Sequence, residues 1–239
     1  MTMNMKTKMN RIFLTGDTHS DVSRILRFDM PELTKDDYVI ILGDFGVVWR
    51  NDVMMNTVLK QLSEKNFTVC FVDGNHENFD TIEKIQTMTN WNGGRAGILP
   101  HGIVHLLRGE IYQIGDRTIG VCGGANSIDK HYRIEGYSWW PQEVITDSNI
   151  LNFIDNLNKL RATGKDKLDL MLSHDCPASI VPAIALWSGI NGASIDTSET
   201  QLERIRYMVD TTKWYFGHWH INKRIDEIFE CLYEDIKEV

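Results

Sequence analysis

The sequence predicts an α/β fold, with a β-rich middle that shades it toward α+β, and three observations carry that expectation. Apolar β-like runs alternate with amphipathic stretches through the first third in the order β-α-β-α-β, for which parallel pairing and right-handed crossovers are the default. Some runs, such as Tyr38-Val39-Ile40-Ile41-Leu42, are continuously apolar, as strands covered on both faces are. Clusters of Gly, Asp, Asn and His close five of the runs.

Residues 11–16 read as the first strand. Val22, Ile25 and Leu26 lie at helical spacing and predict a helix over 20–28. Residues 37–43 form the second strand. Residues 52–65 are amphipathic, with Val53, Val58, Leu59 and Leu62 as the apolar stripe, and 67–73 is the third strand. A helix is expected over 80–89, with Asp80 as cap and Glu83 as its reciprocal partner. Gly93, Gly94 and Gly97 then mark a turn. Residues 103–107, 110–114 and 118–122 are short β-like runs expected as antiparallel additions, with Gly115-Asp116 turning one hairpin. Residues 123–142 form a long irregular stretch of polar and aromatic groups, and long loops in compact domains are often functional. A helical region opens near Pro141 and runs past Leu151, Ile154 and Leu157 to Gly164. Residues 169–173 read as a strand and 188–197 as a Gly/Ser/Asn loop. A helix over 198–210 has Ser198 and Gln201 as a capping box and Leu202, Ile205 and Met208 facing the core. Strands over 213–216 and 224–229 follow. Nothing reads as a repeat or a linker, so we expect one domain over 11–239, preceded by a short disordered tail at 1–10.

Apolar residues make up 42% of the 239 and charged residues 24%, the balance of a globular chain with a sizeable core. The formal charge of −8 argues against long nucleic acid or an anionic membrane surface, which need basic patches. It leaves a small anionic substrate open, because bound metal reverses the local field. Cys70, Cys122, Cys176 and Cys231 form no Cys-x-x-Cys pair and read as reduced thiols, with Cys176 close to a candidate site residue. No run has transmembrane length and residues 1–10 lack a signal-like apolar segment. A cytoplasmic protein is the expectation. Oligomeric state is not legible.

The five clusters are Gly16-Asp17-Thr18-His19, Gly43-Asp44, Gly74-Asn75-His76-Glu77, Ser173-His174 and Gly217-His218-Trp219-His220. Each alone is an ordinary turn or cap. Together they end apolar runs in the same sense and, leaving His76 aside, supply two carboxylates, one amide oxygen and four imidazoles. Borderline divalent ions prefer such a mixed oxygen and nitrogen set. Seven ligands exceed what one tetrahedral ion uses, and a carboxylate shared between two ions accounts for the surplus.

This order of motifs, from Asp17 to His220, resembles that of the calcineurin-like metallophosphoesterase superfamily. The resemblance implies two packed mixed β-sheets flanked by helices in a four-layer sandwich. It implies two divalent ions drawn from Mn, Fe, Zn, Ni and Co, with Mn favoured. Asp17, His19 and His220 would hold one ion, Asn75, His174 and His218 the other, and Asp44 would bridge them. Such a pair of ions activates water and offsets charge on a phosphoryl group. His76 is implied as the acid that protonates the leaving oxygen, or as a phosphate contact; its bland alternative is to orient Asn75.

Phosphoprotein phosphatases continue the second cluster as Gly-Asp-x-x-Asp-Arg. Here it reads Gly43-Asp44-Phe45-Gly46-Val47-Val48, so the carboxylate expected to support the histidine and the arginine expected to grip phosphate are both valines. Glu77 or Asp80 are the nearest substitutes for the carboxylate. Arg50, Arg95 and Arg133 are the candidate guanidinium contacts. Trp139, in Trp139-Trp140-Pro141, is a candidate stacking surface; packing in the core or an interface is the competing role. His101, His105 and His131 are not expected as ligands. The leading expectation is a metal-dependent hydrolase of a small phosphoester or nucleotide. A phosphoprotein phosphatase comes second, and a non-catalytic binding module of the same fold third.

Overall fold

The computed structural model describes residues 10–190 and 192–239. The tail expected at the start lies, for residues 1–9, outside the described residues. Three strands and two helices open the fold: β1 (Ile12–Thr15), α1 (Ser23–Arg27), β2 (Tyr38–Leu42), α2 (Val53–Ser63) and β3 (Thr68–Val72). The strands pair in parallel, as the alternation of runs predicts. α3 (Phe79–Ile85) leads into β4 (Thr87–Trp91), β5 (Gly94–Ile98) and β6 (Val104–Leu106). β7 (Ile111–Ile114) and β8 (Arg117–Cys122) form the hairpin turned by Gly115-Asp116. α4 (Asp147–Ala162), β9 (Lys167–Ser173), α5 (Val181–Ser188), α6 (Thr197–Met208), β10 (Asp210–Phe216), β11 (Lys223–Arg224), β12 (Phe229–Cys231) and β13 (Lys237–Glu238) complete the order.

Two mixed sheets result. One runs β13-β1-β2-β3-β6-β5-β4 and the other β11-β12-β10-β9-β8-β7. Strand alternation divides the core into three. Leu14, Ile40, Leu42 and Val72 of the first sheet meet Val121, Leu170 and Leu172 of the second, filling the space between them. Phe13, Val39, Ile41 and Phe71 point the other way, onto Ile25 of α1 and Leu59 and Leu62 of α2. On the far side, Met171, Trp214 and Phe216 pack with Phe153 of α4, Ile184 of α5 and Ile205 of α6. This is the helix–sheet–sheet–helix sandwich, and it explains the continuous apolar runs: the central strands are covered on both faces.

Several local expectations are corrected. The helix over 80–89 ends at Ile85, and its cap is Asn78, whose Oδ1 accepts from Thr81 N at 2.9 Å. The remainder becomes β4 because Asn92-Gly93, at φ 47° and 87°, closes a tight β4–β5 hairpin. Gly94 and Gly97 therefore lie in β5 rather than in a turn. Val53 is 83% exposed, and Met55 takes the inward position on α2. The α6 capping box is Asp196 with Glu199, two residues before the expected pair. Ser198 instead donates to Asn126 Oδ1 at 2.6 Å. The strand over 224–229 divides into β11 and β12, with Asp226 accepting from Ile228 N and Phe229 N in the turn between them. α5 has no sequence counterpart among the expectations: Val181 to Trp187 is apolar throughout and lacks the polar face that marks an amphipathic helix. All four cysteines are buried free thiols. No helix among the described residues is long and apolar enough to cross a membrane.

Candidate metal centre

The C-terminal ends of β1, β2, β3, β9 and β10 meet along one edge of the sandwich, and each leads at once, or after a single residue at β3, into one of the five clusters. Parallel strands deliver their polar ends together in this way. The backbone there is held in an unusual state. Among the described residues, seven other than glycine have positive φ; His19, Ser20, Asp44, His218 and His220 are five of them. Left-handed backbone at such residues costs on the order of 1–3 kcal/mol each and persists only where surrounding contacts enforce it. Those contacts are present: the Asp44 carbonyl accepts from Thr18 N at 3.1 Å and His19 N at 2.8 Å. Asp44 Oδ1 accepts from His76 N at 2.7 Å, and Asp17 Oδ1 from His218 N at 2.9 Å.

The glycines of the clusters make room for one another's functional side chains. A Cβ on Gly43 would overlap the His174 imidazole, one on Gly74 the Asp44 carboxylate, and one on Gly217 the Asp17 carboxylate.

Asp17, His19 and His220 each place a ligand atom within 4.8 Å of the other two, and so do Asp17, Asp44 and His174. His220 Nε2 is 3.0 Å from Asp17 Oδ2 and 3.0 Å from His19 Nε2. His174 Nδ1 donates to the Leu42 carbonyl at 2.8 Å. That bond turns Nε2 toward Asn75 Oδ1 at 3.1 Å and Asp44 Oδ1 at 3.4 Å, the arrangement of a histidine whose ligating nitrogen is set by the bond its other nitrogen makes. His218 and His174 rings meet edge to face at 4.9 Å.

The electrostatics fit a divalent cation. Asp17 and Asp44 are both 1% exposed. Burial opposes charge on His174, but Asp44 and Asp17 outweigh it and raise its pKa to about 10. Burial likewise raises Asp17 and Asp44, yet the surrounding imidazoles hold both below the ordinary carboxylate range. Two buried carboxylates that draw this much positive charge, ringed by imidazoles and one amide oxygen, are hard and borderline ligands in the right proportion for such an ion.

Around this group stand partners that sequence patterns do not mark. Asn75 Nδ2 donates to Ser127 Oγ at 3.0 Å, and Ser127 donates through Oγ and N to Glu143 at 2.9 and 2.7 Å. This fixes which end of the Asn75 amide faces His174. Trp219 Nε1 donates to Asp175 Oδ1 at 2.9 Å, and Asp175 Oδ2 lies 4.0 Å from His218 Nε2. Only burial and long-range pairing distinguish Ser127 and Glu143; nothing local to them does.

Among the described residues no carboxylate is hydrogen-bonded to the His76 ring. Glu77 accepts from Phe45 N and Gly46 N, and Asp80 from Trp140 Nε1. The ring partner is Arg133, which donates to His76 Nε2 at 3.0 Å and pairs with Asp129 at 2.8 Å. Val47 and Val48 are buried among the apolar side chains under α2. Arg133 and His76 share a cleft of about 590 Å³ with Asp44, Asn75, His218 and His220. Arg50 lines a second cleft, beside His19 and His76. Arg95 is brought to neither; it pairs with Glu110 at 3.1 Å. Trp139 is half-buried beside Glu143, while Trp140 is buried and meets Trp49 edge to face at 5.4 Å. His105 stacks on Phe71 and bonds Gln86 and Asp73. Cys176 is buried beside Asp175, and burial pushes its thiol well above the usual pKa.

No curated protein matches the chain in sequence. Among solved structures, a phosphopantetheinyl hydrolase (PptH) from Mycobacterium tuberculosis is similar at 15% identity and a TM-score of 0.45, over 94% of this chain and 90% of that one. A sulfate thiohydrolase, SoxB, from Thermus thermophilus is similar at 15% identity and a TM-score of 0.41, over 83% of this chain and 33% of that one. The profile of the calcineurin-like phosphoesterases matches residues 10–222. That span takes in every strand-end loop that builds the centre, and the chain belongs to the calcineurin-like phosphoesterase family.

Proposed function

We propose that this chain hydrolyses a small phosphoester or nucleotide with two divalent ions, Mn favoured, and that residues 11–239 act as one cytoplasmic catalytic unit. The observation that carries the reading is the convergence of Asp17, Asp44 and His174 within 4.8 Å, beside His19 and His220. Asp17, His19 and His220 would hold one ion and Asn75, His174 and His218 the other, with Asp44 the carboxylate placed to be shared between them. When bound, the ions supply Lewis acidity toward water and toward phosphoryl oxygens.

The remaining work falls to side chains. Arg133 offers charge-assisted hydrogen bonds to a phosphoryl group, released from His76 as it turns to the substrate. His76 then loses a cationic neighbour and gains an anionic one. Both changes favour its protonation, and the imidazolium gives the leaving oxygen its proton. A phosphoprotein substrate is disfavoured, because Val47 and Val48 are buried core residues where phosphoprotein phosphatases place polar contacts.

Phosphate or alcohol release from a monoester and a diester aryl phosphate, with Mn, Ni, Fe and Zn supplied in turn, tests the reading. Turnover with at least one metal is expected, and no cleavage with any of them overturns it. Asp44→Asn should lower metal content and turnover together; unchanged values for both would refute its shared role.

A further inference from the structure

The clustered ligands explain chemistry on phosphorus but not the choice of ester. The site opens on a second side, into a cleft of about 580 Å³ that begins at His19 and His76. Its walls are Val47, Trp49, Met54 and Val58. That size and mainly apolar lining suit a small organic group. Four further observations bear on what enters.

Val53 and Met54, in the first turn of α2, are 83% and 77% exposed. Two large apolar side chains therefore face water next to a polar centre, with Met54 on the cleft wall. The Trp49 indole is half-buried and held edge-on by Trp140 at 5.4 Å, so its orientation is fixed before any ligand arrives. The guanidinium of Arg50, on the same cleft, has no hydrogen-bond or ion-pair partner among the described residues, whereas the neighbouring Asp52 is engaged in capping α2 through Met55 N at 2.9 Å. His76 lines both clefts. A phosphoryl group held near it has its ester substituent within reach of this one.

We propose that the cleft is the subsite for the organic part of the ester, and that this part is a flat, apolar aromatic group seated against Trp49 and Met54. The inference rests on the phosphoesterase reading for its orientation. An aromatic ring meets a fixed indole and a polarisable thioether there, both of which favour flat π-systems over alkyl chains. Val47, buried, and Val58, half-buried, complete the apolar lining. The apolar ring face lies on Trp49 and Met54, and Arg50 is placed to meet a polar substituent on the ring's edge.

The test uses the metal-loaded full chain and two non-cleavable probes, methylphosphonate and phenylphosphonate, with binding read by calorimetry. Phenylphosphonate should bind tighter by about tenfold or more, from the added apolar burial. Trp49→Ala and Met54→Gln should each bring that ratio toward one. Met54 is exposed, so its substitution tests the subsite without threatening the fold. A ratio near one in the wild type, or a ratio that survives both substitutions, overturns the proposal. Phosphate release from phenyl phosphate and glycerol phosphate is measured alongside. Selective binding of phenylphosphonate without turnover of either ester, or of a diester aryl phosphate, with any of the four metals refutes the hydrolase reading and leaves the aromatic subsite standing.

Discussion

His76 stands between two charges of opposite sign. Its backbone N–H donates to the Asp44 carboxylate, and its Nε2 accepts from Arg133. Burial lowers the ring's pKa first; Asp44 opposes this and Arg133 adds to it, leaving a value of about 4. At neutral pH the free imidazole is therefore neutral, with its proton on Nδ1 because Nε2 accepts from Arg133, and an incoming anion favours its protonation. We expect His76→Ala to retain metal and to slow esters of poor leaving groups far more than good ones, by about 100-fold against a few-fold. A leaving-group series checks this, and equal slowing across the series rules out the acid role. One step behind, Ser127 joins Asn75 to Glu143. Ser127→Ala leaves the Asn75 amide without that anchor and should weaken metal binding by about tenfold at one of the two positions. Titration with a competing chelator reads the loss; two unchanged affinities would exclude the anchoring role. The residues of the proposed centre were legible because aspartate, asparagine and histidine gather at strand ends in short motifs. Ser127 and Glu143 were not, because their partners come from distant loops and serine or glutamate in a loop carries no local signal.

At the scale of elements, the centre exists because adjacent strand ends come close without collision. Gly74 follows β3, and a Cβ there would overlap the Asp44 side chain at the end of β2. Gly43 sits at φ 93° and faces the His174 ring in the same way. Gly74→Ala is expected to destabilise the fold by about 1–3 kcal/mol, as overpacking does, and to displace the Asp44 carboxylate. Urea melts and metal titration check it together; normal stability with normal metal affinity would mean the strand ends separate more easily than their packing implies. β1, β2 and β3 were readable from apolar runs because buried parallel strands need them; β6 and β8, expected as antiparallel additions, instead pair in parallel with β3 and β9, partners that lie far away in sequence. The β4–β5 hairpin was hidden by a competing pattern: residues at helical spacing continue past Ile85, and the Asn92-Gly93 turn decides the matter. α5 was hidden for the opposite reason, since a helix apolar on every side has no period to read.

Across the whole molecule, the two sheets are tied by a buried ion pair as well as by apolar packing. Asp73 lies just past β3 in the first sheet, and Arg108 lies on the crossover from β6 to β7, where the chain passes to the second sheet. Arg108 Nε donates to Asp73 Oδ2 at 2.6 Å, and its remaining nitrogens reach the carbonyls of Val144 and Glu143 at 3.0 and 3.2 Å. Their side chains are 9% and 3% exposed. Burial opposes charge on Asp73; Arg108, with help from His105, outweighs it and holds the carboxyl below the ordinary carboxylate range. The same arginine fixes the segment that carries Glu143, and through it Ser127 and Asn75. Arg108→Met strands a buried carboxylate, and such loss of one partner costs about 3–5 kcal/mol, or a fall in melting temperature on the order of 10 °C for a chain of this size. Adding Asp73→Asn removes the stranded charge and should recover part of that loss. The pair of melts separates two views of the link. If the single variant melts like the wild type, apolar packing alone holds the sheets. If the double variant regains stability but not metal affinity, the ion pair acts on the centre through the Glu143 segment rather than through the fold at large.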